Sequence, residues 1–105
     1  MTTYKRGDVV LVLFPNANLR TAKCRPGLIV QANALDTGLT QTIVAMITSN
    51  LKRAGYPSRV SVTLATPEGQ QTGLVTDSVI MTDNLITVRE IELDRVIGVW
   101  SDLEA

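Results

Sequence analysis

The sequence contains no histidine, and this absence excludes several of the commonest catalytic arrangements. A Ser-His-Asp triad, a Cys-His pair and a two-histidine ribonuclease mechanism all need an imidazole as acid or base. Cysteine occurs once, at Cys24, so no disulfide can form within the chain, and zinc lacks its usual ligands. A carboxylate-bound magnesium site stays open, because oxygen ligands suffice for that ion. Neither G-x-G-x-x-G nor G-x-x-x-x-G-K-[ST] occurs, so no phosphate-binding loop of those two types is present.

Long hydrophobic runs are also missing. No stretch approaches the roughly 18 consecutive apolar residues that a membrane-spanning helix needs, and residues 1–8 lack the apolar segment of a secretory signal. Together with the single cysteine, this predicts a protein of the reducing cytoplasm with no membrane association. The chain has 105 residues, of which 45% are hydrophobic, which predicts one folded domain over residues 1–105.

The charges are distributed unevenly although the formal net charge is zero. Residues 1–59 contain eight basic and two acidic side chains, a net charge of +6, whereas residues 60–105 contain two basic and eight acidic ones, a net charge of −6. A basic region of this kind suits a polyanion such as nucleic acid. The alternative is an ordinary solvated surface on which the two signs happen to segregate.

Short apolar or alternating segments bounded by turn residues predict a mainly β fold. We expect strands over residues 9–14, 28–30, 42–48, 59–64, 78–81, 85–88 and 96–100. Residues 49–55 predict a single helical turn, capped by Ser49 or Asn50; residues 36–38 predict a turn, and residues 67–69 a hairpin turn. Strands at this spacing are typical of a twisted sheet closed into a small barrel.

Arg25 and Thr48 are the candidate functional pair. Arg25 precedes Pro26 and lies at the start of the second predicted strand, while Thr48 ends the third. Strand ends and their loops are where a rigid scaffold presents functional groups. If those two strands form a hairpin, both residues lie at the same end of the sheet. From the residues alone, the favoured alternative is a surface arginine paired with a carboxylate at Arg25 and an ordinary strand-end threonine at Thr48.

Five segments, in order and over nearly the whole chain, resemble the MazF/PemK (Kid-like) family of toxin ribonucleases. They are Arg6-Gly7-Asp8-Val9-Val10-Leu11-Val12 with Phe14-Pro15, Lys23-Cys24-Arg25-Pro26-Gly27-Leu28-Ile29-Val30, Ile47-Thr48-Ser49-Asn50, Gly73-Leu74 and Asp77-Ser78-Val79-Ile80. A single Arg-Pro dipeptide would carry no information, but the ordered set is specific.

The resemblance implies a small SH3-like twisted β-barrel of the CcdB/PemK type with one or two short helices. It implies a homodimer that cleaves single-stranded RNA at short preferred sequences without metal or other cofactor and is inhibited by a cognate antitoxin. Arg25 and Thr48 would be the catalytic pair. The ribose 2′-hydroxyl would attack the adjacent phosphorus, leaving a 2′,3′-cyclic phosphate and a 5′-hydroxyl. The forked guanidinium of Arg25 suits the charge on the phosphorane oxygens, but a guanidinium that keeps its proton is a poor base. We therefore expect Arg25 to act as an electrostatic stabiliser and candidate proton donor.

The RNA-binding residues expected beside this pair are polar or basic and come from three parts of the chain: Asn16, Asn18, Arg20, Lys23, Ser49, Asn50, Asp83 and Asn84. The first four form a candidate loop over the RNA, for which a solvated turn is the alternative. Cys24 and Trp100 are expected to pack in the protein, Cys24 because it would point to the opposite strand face from Arg25.

Two departures from the family pattern leave other functions open. Ile86 stands where many members have an arginine, and residues 101–104 form a capping box that predicts the start of a C-terminal helix, yet only Ala105 follows. A catalytically silent relative that binds RNA or antitoxin is therefore one alternative. The other is a gyrase-poisoning toxin of the CcdB type, which would need no Arg25–Thr48 pair.

Overall fold

The computed structural model describes residues 4–15, 22–30, 41–55, 57–89 and 92–100. Within them lie six strands, one short α-helix and one 3-10 turn: β1 Asp8–Pro15, β2 Ala22–Ile29, β3 Gln41–Thr48, the 3-10 turn Leu51–Arg53, β4 Arg59–Val62, α1 Pro67–Gln71, β5 Ser78–Arg89 and β6 Leu93–Val99. The predicted mainly β class is confirmed. None of the helices in the described residues is long and apolar enough to cross a membrane.

The strands form one antiparallel sheet in the order β4-β5-β3-β2-β1-β6. Its two edges are β4 and β6, and in the described residues they do not pair, so the sheet fits a closed barrel only loosely. The segment that follows β4 crosses to the opposite edge of the sheet and contacts β6. A side chain added at Gly73, whose φ is 73°, would meet the carbonyl oxygen of Ile97. One added at Gly98 would meet the backbone of Gln71 and Thr72, so the end of α1 lies directly against β6.

Apolar side chains are buried on both faces of the sheet, which explains the unbroken apolar runs. Among the residues that the structure describes, one cluster contains seven buried residues: Val9, Leu28, Ala45, Ile47, Val62, Ile80 and Trp100. A second cluster contains six of the described residues: Val10, Val12, Ile29, Val44, Val88 and Leu93. Consecutive β1 residues such as Val9 and Val10 therefore pack into different clusters. Burying one such side chain stabilises the folded state by about 1.5–3 kcal/mol. Trp100 packs in the first cluster as expected, and Ile86 packs against the second.

Two elements in the second half of the chain differ in type or continuity from those predicted. Residues 67–69 do not form a hairpin turn but begin α1, because Thr66 is an N-cap whose hydroxyl accepts a hydrogen bond from Gly69 N–H at 3.0 Å, and Pro67 suits the first helical position. The two predicted strands over residues 78–88 are one continuous strand, β5. The predicted turn at 36–38 and the capping box at 101–104 lie outside the described residues.

The second strand begins at Ala22, earlier than predicted, so Arg25 lies within β2 and not at its start. The polar residues before Pro26 become strand because β1 pairs with them, from Val9 opposite Leu28 to Pro15 opposite Ala22. Backbone pairing along β1 thus outweighs their weak strand propensity.

Candidate active site

A cavity opens where β2 and β3 stop pairing. Their ladder joins residues 27–29 of β2 to residues 44–46 of β3 and ends at Gly27 opposite Met46, although both strands continue further. Pro26 is the next residue of β2, and it has no N–H to donate across the ladder. The missing donor is a physical reason for the two strands to separate at this position.

The cavity has a volume of about 480 Å³ and three walls. The β2 wall is residues 23–26, the β3 wall is residues 46–49, and the third wall comes from the segment before β5 and from β5 itself. The third wall comprises Leu74, Val75, Thr76, Ser78, Met81 and Asn84. Strands that belong to the basic first part of the chain thus face a wall from the acidic second part.

Arg25 occupies the β2 wall and is exposed. It pairs with Val12 of β1, and it lines the same cavity as Thr48, which belongs to the β3 wall. Its guanidinium makes no hydrogen bond or ion pair with the residues that the structure describes. No described residue competes for its donors, and a planar fork of this kind binds an anionic ligand well.

Thr48 ends β3, as the sequence predicted, and is half-buried in the opposite wall. Its hydroxyl oxygen accepts a hydrogen bond from Asn50 N–H at 3.1 Å. The side-chain oxygen of Asn50 in turn accepts one from Lys52 N–H at 3.1 Å, which caps the 3-10 turn as expected. A hydroxyl that accepts through its oxygen keeps its hydrogen for donation. Thr48 is thus held in place as a hydrogen-bond donor facing Arg25.

The third wall is fixed by hydrogen bonds among residues 64–78, which connect β4 to the start of β5. The Thr72 hydroxyl, which is fully buried, donates to Gly69 O and accepts from Leu74 N–H at 3.2 Å. The Asp77 carboxylate accepts from Leu64 N–H at 2.8 Å, and the Ser78 hydroxyl donates to Thr76 O at 2.9 Å. Val75 remains 94% exposed at the cavity. The wall is therefore anchored at both ends while its middle faces solvent.

Five of the predicted site residues come together in this cavity: Lys23, Arg25, Thr48, Ser49 and Asn84. Two others lie outside its lining. Asn50 caps the 3-10 turn, and the Asp83 carboxylate is bound by Arg59, whose Nε and Nη2 donate to its two oxygens at 2.7 and 2.8 Å. Asn16, Asn18 and Arg20 fall outside the described residues.

The Arg59 guanidinium also changes the acidity of Asp83. Its hydrogen bonds to the carboxylate lower the pKa of Asp83 below the ordinary value of 3.8, and desolvation opposes them only in part. Asp83 is therefore ionised at neutral pH and engaged with a cation of the protein.

Cys24 departs from its predicted packing role, because it is exposed and contributes to the cavity. The cavity runs along the edge of β2 that no longer pairs with β3, so neighbouring residues from both faces of the strand, such as Cys24 and Arg25, line it. The sequence also assigned no site role to Met46 or Met81, which reach the cavity through the pairing of β3 with β5, or to residues 74–76 and Ser78. Of these, only Leu74 and Ser78 belonged to motifs that the sequence had singled out.

Comparison with known protein families shows to which family the chain belongs. Residues 5–104 match the model of the PemK-like, MazF-like toxins of type II toxin–antitoxin systems. The chain belongs to this toxin family. The match covers all but the ends of the sequence and includes every wall of the cavity, so the resemblance seen in the sequence is confirmed.

Solved structures of MazF toxins share the fold of this family member. A MazF-mt6 toxin of Mycobacterium tuberculosis is 26% identical with a TM-score of 0.68, over 92% of this chain and 84% of that one. An endoribonuclease from mycobacterial species is 24% identical with a TM-score of 0.68, over 97% and 80%. A mycobacterial endoribonuclease in complex with its cognate antitoxin is 22% identical with a TM-score of 0.67, over 95% and 82%. Comparison with curated proteins gives no match.

Proposed function

We propose that this toxin is a metal-independent endoribonuclease that cleaves single-stranded RNA at preferred short sequences. The observation that carries the proposal is the pair of opposed donors in the cavity: the guanidinium of Arg25 on β2 and the hydroxyl of Thr48 on β3. The name of one solved relative, an endoribonuclease of similar fold, supports the same activity. The lining combines two cations and four hydroxyls, which suit a phosphate group, with apolar side chains against which neighbouring bases can pack.

In the proposed reaction the ribose 2′-oxygen forms a bond to the adjacent phosphorus and the bond from phosphorus to the 5′-oxygen breaks. The 2′-hydroxyl releases one proton and the leaving 5′-oxygen takes one up, so the products are a 2′,3′-cyclic phosphate and a 5′-hydroxyl. Negative charge develops on the non-bridging phosphorane oxygens, and Arg25 and Thr48 donate hydrogen bonds to them. Arg25 stabilises this charge and is a candidate proton donor to the leaving oxygen. It does not remove the 2′-proton, because a guanidinium stays protonated near neutrality.

The proposed partners follow from the same family. We propose that the toxin is a homodimer and that a cognate antitoxin inhibits it, as the solved complex of an endoribonuclease with its antitoxin supports. A segment that occupies the cavity or its rim would block RNA by competing for Arg25. Such an inhibitor should protect Cys24, in the same wall, from alkylation.

The test is cleavage of a long RNA in the presence of EDTA by the wild type, by Arg25→Ala and by Arg95→Ala. Arg95 is an exposed arginine on the edge strand β6 and serves as the matched control. We expect cutting that survives EDTA, persists in Arg95→Ala and falls by at least about a hundredfold in Arg25→Ala, as for loss of a transition-state donor.

Other results identify the rival functions. Cutting that EDTA abolishes would contradict metal independence, and equal cutting by Arg25→Ala would contradict the assigned site. RNA binding without cutting in the wild type would indicate a silent relative. Inhibition of a gyrase by a protein that leaves RNA intact would indicate a topoisomerase poison.

A further inference from the structure

Strand β5 carries three extra residues beside the cavity. In its pairing with β3, Ala45 lies opposite Leu85, whereas the next residue, Met46, lies opposite Met81. Residues 82–84 therefore have no counterpart on β3 and bulge from that ladder. An insertion of this kind re-aims the side chains it carries. The bulge lies at the point where the β2–β3 ladder ends, so it borders the cavity on the β3 side.

The first two residues of the bulge are anchored away from the cavity, on the β4 side. The backbone N–H of Thr82 donates to Ser58 O at 3.0 Å, and its hydroxyl donates to the same oxygen. The Asp83 carboxylate receives two parallel hydrogen bonds from Arg59, at 2.7 and 2.8 Å. The Arg59 side chain is only 15% exposed, so it offers a fixed fork and not a mobile surface charge.

The third residue of the bulge, Asn84, is the one that reaches the cavity. It is exposed, and within the described residues its amide has no hydrogen-bond partner. A carboxamide both donates and accepts, which lets it recognise the edge of an unstacked base. Its position along the chain leaves little freedom, because the preceding residue is held by two hydrogen bonds. The Arg59–Asp83 pair therefore restrains the strand from which the Asn84 side chain reaches the cavity that Arg25 and Thr48 line.

We propose that Arg59 and Asp83 are positioning residues that fix Asn84 against a base next to the cleaved phosphate, and so set the sequence preference. The proposal rests on the proposed ribonuclease function. Direct binding of RNA by Asp83 is disfavoured, because both its oxygens are engaged and its charge would repel phosphate. Asn84 makes the contact and Asp83 acts through it. Arg59 and Asp83 thus affect the recognition of one base and do not stabilise the phosphorane.

The test compares wild type, Asn84→Ala, Asp83→Ala and the charge-swapped double variant Arg59→Asp/Asp83→Arg. Glu92→Ala is the control, because it breaks another ion pair of a surface arginine, that of Arg89 at 3.6 Å. Cleavage sites in a long transcript, mapped by their 5′-hydroxyl ends, define the preferred sequence. Short RNAs with single-base changes then give kcat and KM for each variant. Binding of the same RNAs, each with one 2′-deoxynucleotide at the cleaved position, is measured in parallel.

We expect Asn84→Ala and Asp83→Ala each to reduce discrimination at one and the same base by about tenfold, mainly through KM, as for loss of a base contact. Combining the two substitutions should add little, since they remove one contact. The swapped pair should restore discrimination, and Glu92→Ala should keep it.

Three results for Asp83→Ala would overturn the proposal. The first is an unchanged sequence preference, and the second is a loss of discrimination at a base other than the one affected by Asn84→Ala. The third is an equal fall in kcat on every RNA sequence together with a lowered Tm. Failure of the underlying ribonuclease function gives a different signature. If the wild type does not cut RNA but binds short single-stranded RNAs with a measurable base preference, that function fails while the binding preferences of the variants still decide this proposal. If the wild type neither binds nor cuts, both fail.

Discussion

The Thr48 hydroxyl lies at the end of β3, where the chain turns back so that Asn50 N–H binds its oxygen. That bond gives a flexible hydroxyl one orientation and leaves its hydrogen for a substrate oxygen. Arg25, by contrast, is held only through its backbone in β2, and its guanidinium stays unpaired within the described residues. The site thus combines one oriented donor with one adaptable fork, an arrangement suited to a phosphate whose geometry changes during the reaction.

Replacing the Thr48 hydroxyl by a methyl group separates its chemical role from its shape. We predict that Thr48→Val lowers kcat for RNA cleavage by about a hundredfold, because one donor to the phosphorane oxygens is lost. Thr48→Ser should retain most of the activity. Single-turnover cleavage measures both, with urea unfolding as the check on folding. Cleavage by Thr48→Val at the wild-type rate would contradict the role of the hydroxyl.

At this scale the sequence predicted some residues and missed others for a physical reason. Thr48 was predictable because it follows an apolar run, and Arg25 because a motif surrounds it. The exposure of Cys24 was not, because strand alternation assumes that both neighbours of a strand remain paired. Near Pro26 one neighbour is lost, and the side of the strand becomes part of the cavity wall.

Among the elements, β5 connects the candidate site to the rest of the sheet. Its N-terminal part pairs with both β3 and β4, and its bulge at residues 82–84 lies between two stretches of pairing with β3. From the sequence this region reads as two short strands, since Asp83 and Asn84 interrupt the apolar pattern. Pairing with β4 and the Arg59–Asp83 contact keep the strand continuous. Such long-range support is invisible to a reading of local propensity.

The ion pair between β4 and β5 gives a prediction on pH. Because folding lowers the pKa of Asp83, the pair stabilises the folded state above the ordinary carboxyl value of 3.8 and this contribution is lost as the pH falls through the lowered pKa. The urea midpoint of the wild type should exceed that of Asp83→Asn at pH 7. The two midpoints should converge as the pH falls below 3.8 and through the lowered pKa. A difference that grows on acidification would contradict the assigned direction.

That difference should be small and sensitive to salt, since the Asp83 side chain of the pair is 41% exposed. Raising the salt concentration to about 1 M at pH 7 should therefore reduce it as well. Glu92→Gln, which disrupts the other surface pair, provides the matched comparison. An Asp83→Asn effect that salt leaves unchanged would indicate a loss of packing and not of charge.

In the whole molecule, the open sheet and the segregation of charge act together. The basic part of the chain, residues 1–59, supplies the two strands whose separation forms the cavity and both cations of its described lining, Lys23 and Arg25. The acidic part supplies the third wall and the edge strand β6. The net charge is zero, so attraction of a polyanion depends on this local arrangement and not on the molecule's total charge. The mainly β class was predictable from strand spacing, whereas the open sheet was not, because closure depends on which edges meet.

Local attraction of this kind predicts a defined salt dependence. Binding of a single-stranded RNA blocked by one 2′-deoxynucleotide should weaken as salt rises, and Lys23→Ala should reduce the slope of log K against log salt by about 0.7, the loss of one phosphate contact. Arg95→Ala, on the edge strand β6, should leave the slope unchanged. Fluorescence anisotropy between about 50 and 300 mM salt measures it. An unchanged slope in Lys23→Ala would contradict a contact between Lys23 and an RNA phosphate.

The central claim is that the Arg25–Thr48 cavity cleaves RNA through attack by the neighbouring 2′-hydroxyl. Its most direct measurement uses an RNA that contains the preferred site, made once as all-ribose and once with a single 2′-deoxynucleotide immediately before the cleaved phosphate. We predict that the toxin binds both with similar affinity, cuts only the all-ribose strand, and leaves a 2′,3′-cyclic phosphate by mass spectrometry. Cleavage of the deoxy-substituted strand at the same bond would contradict the account.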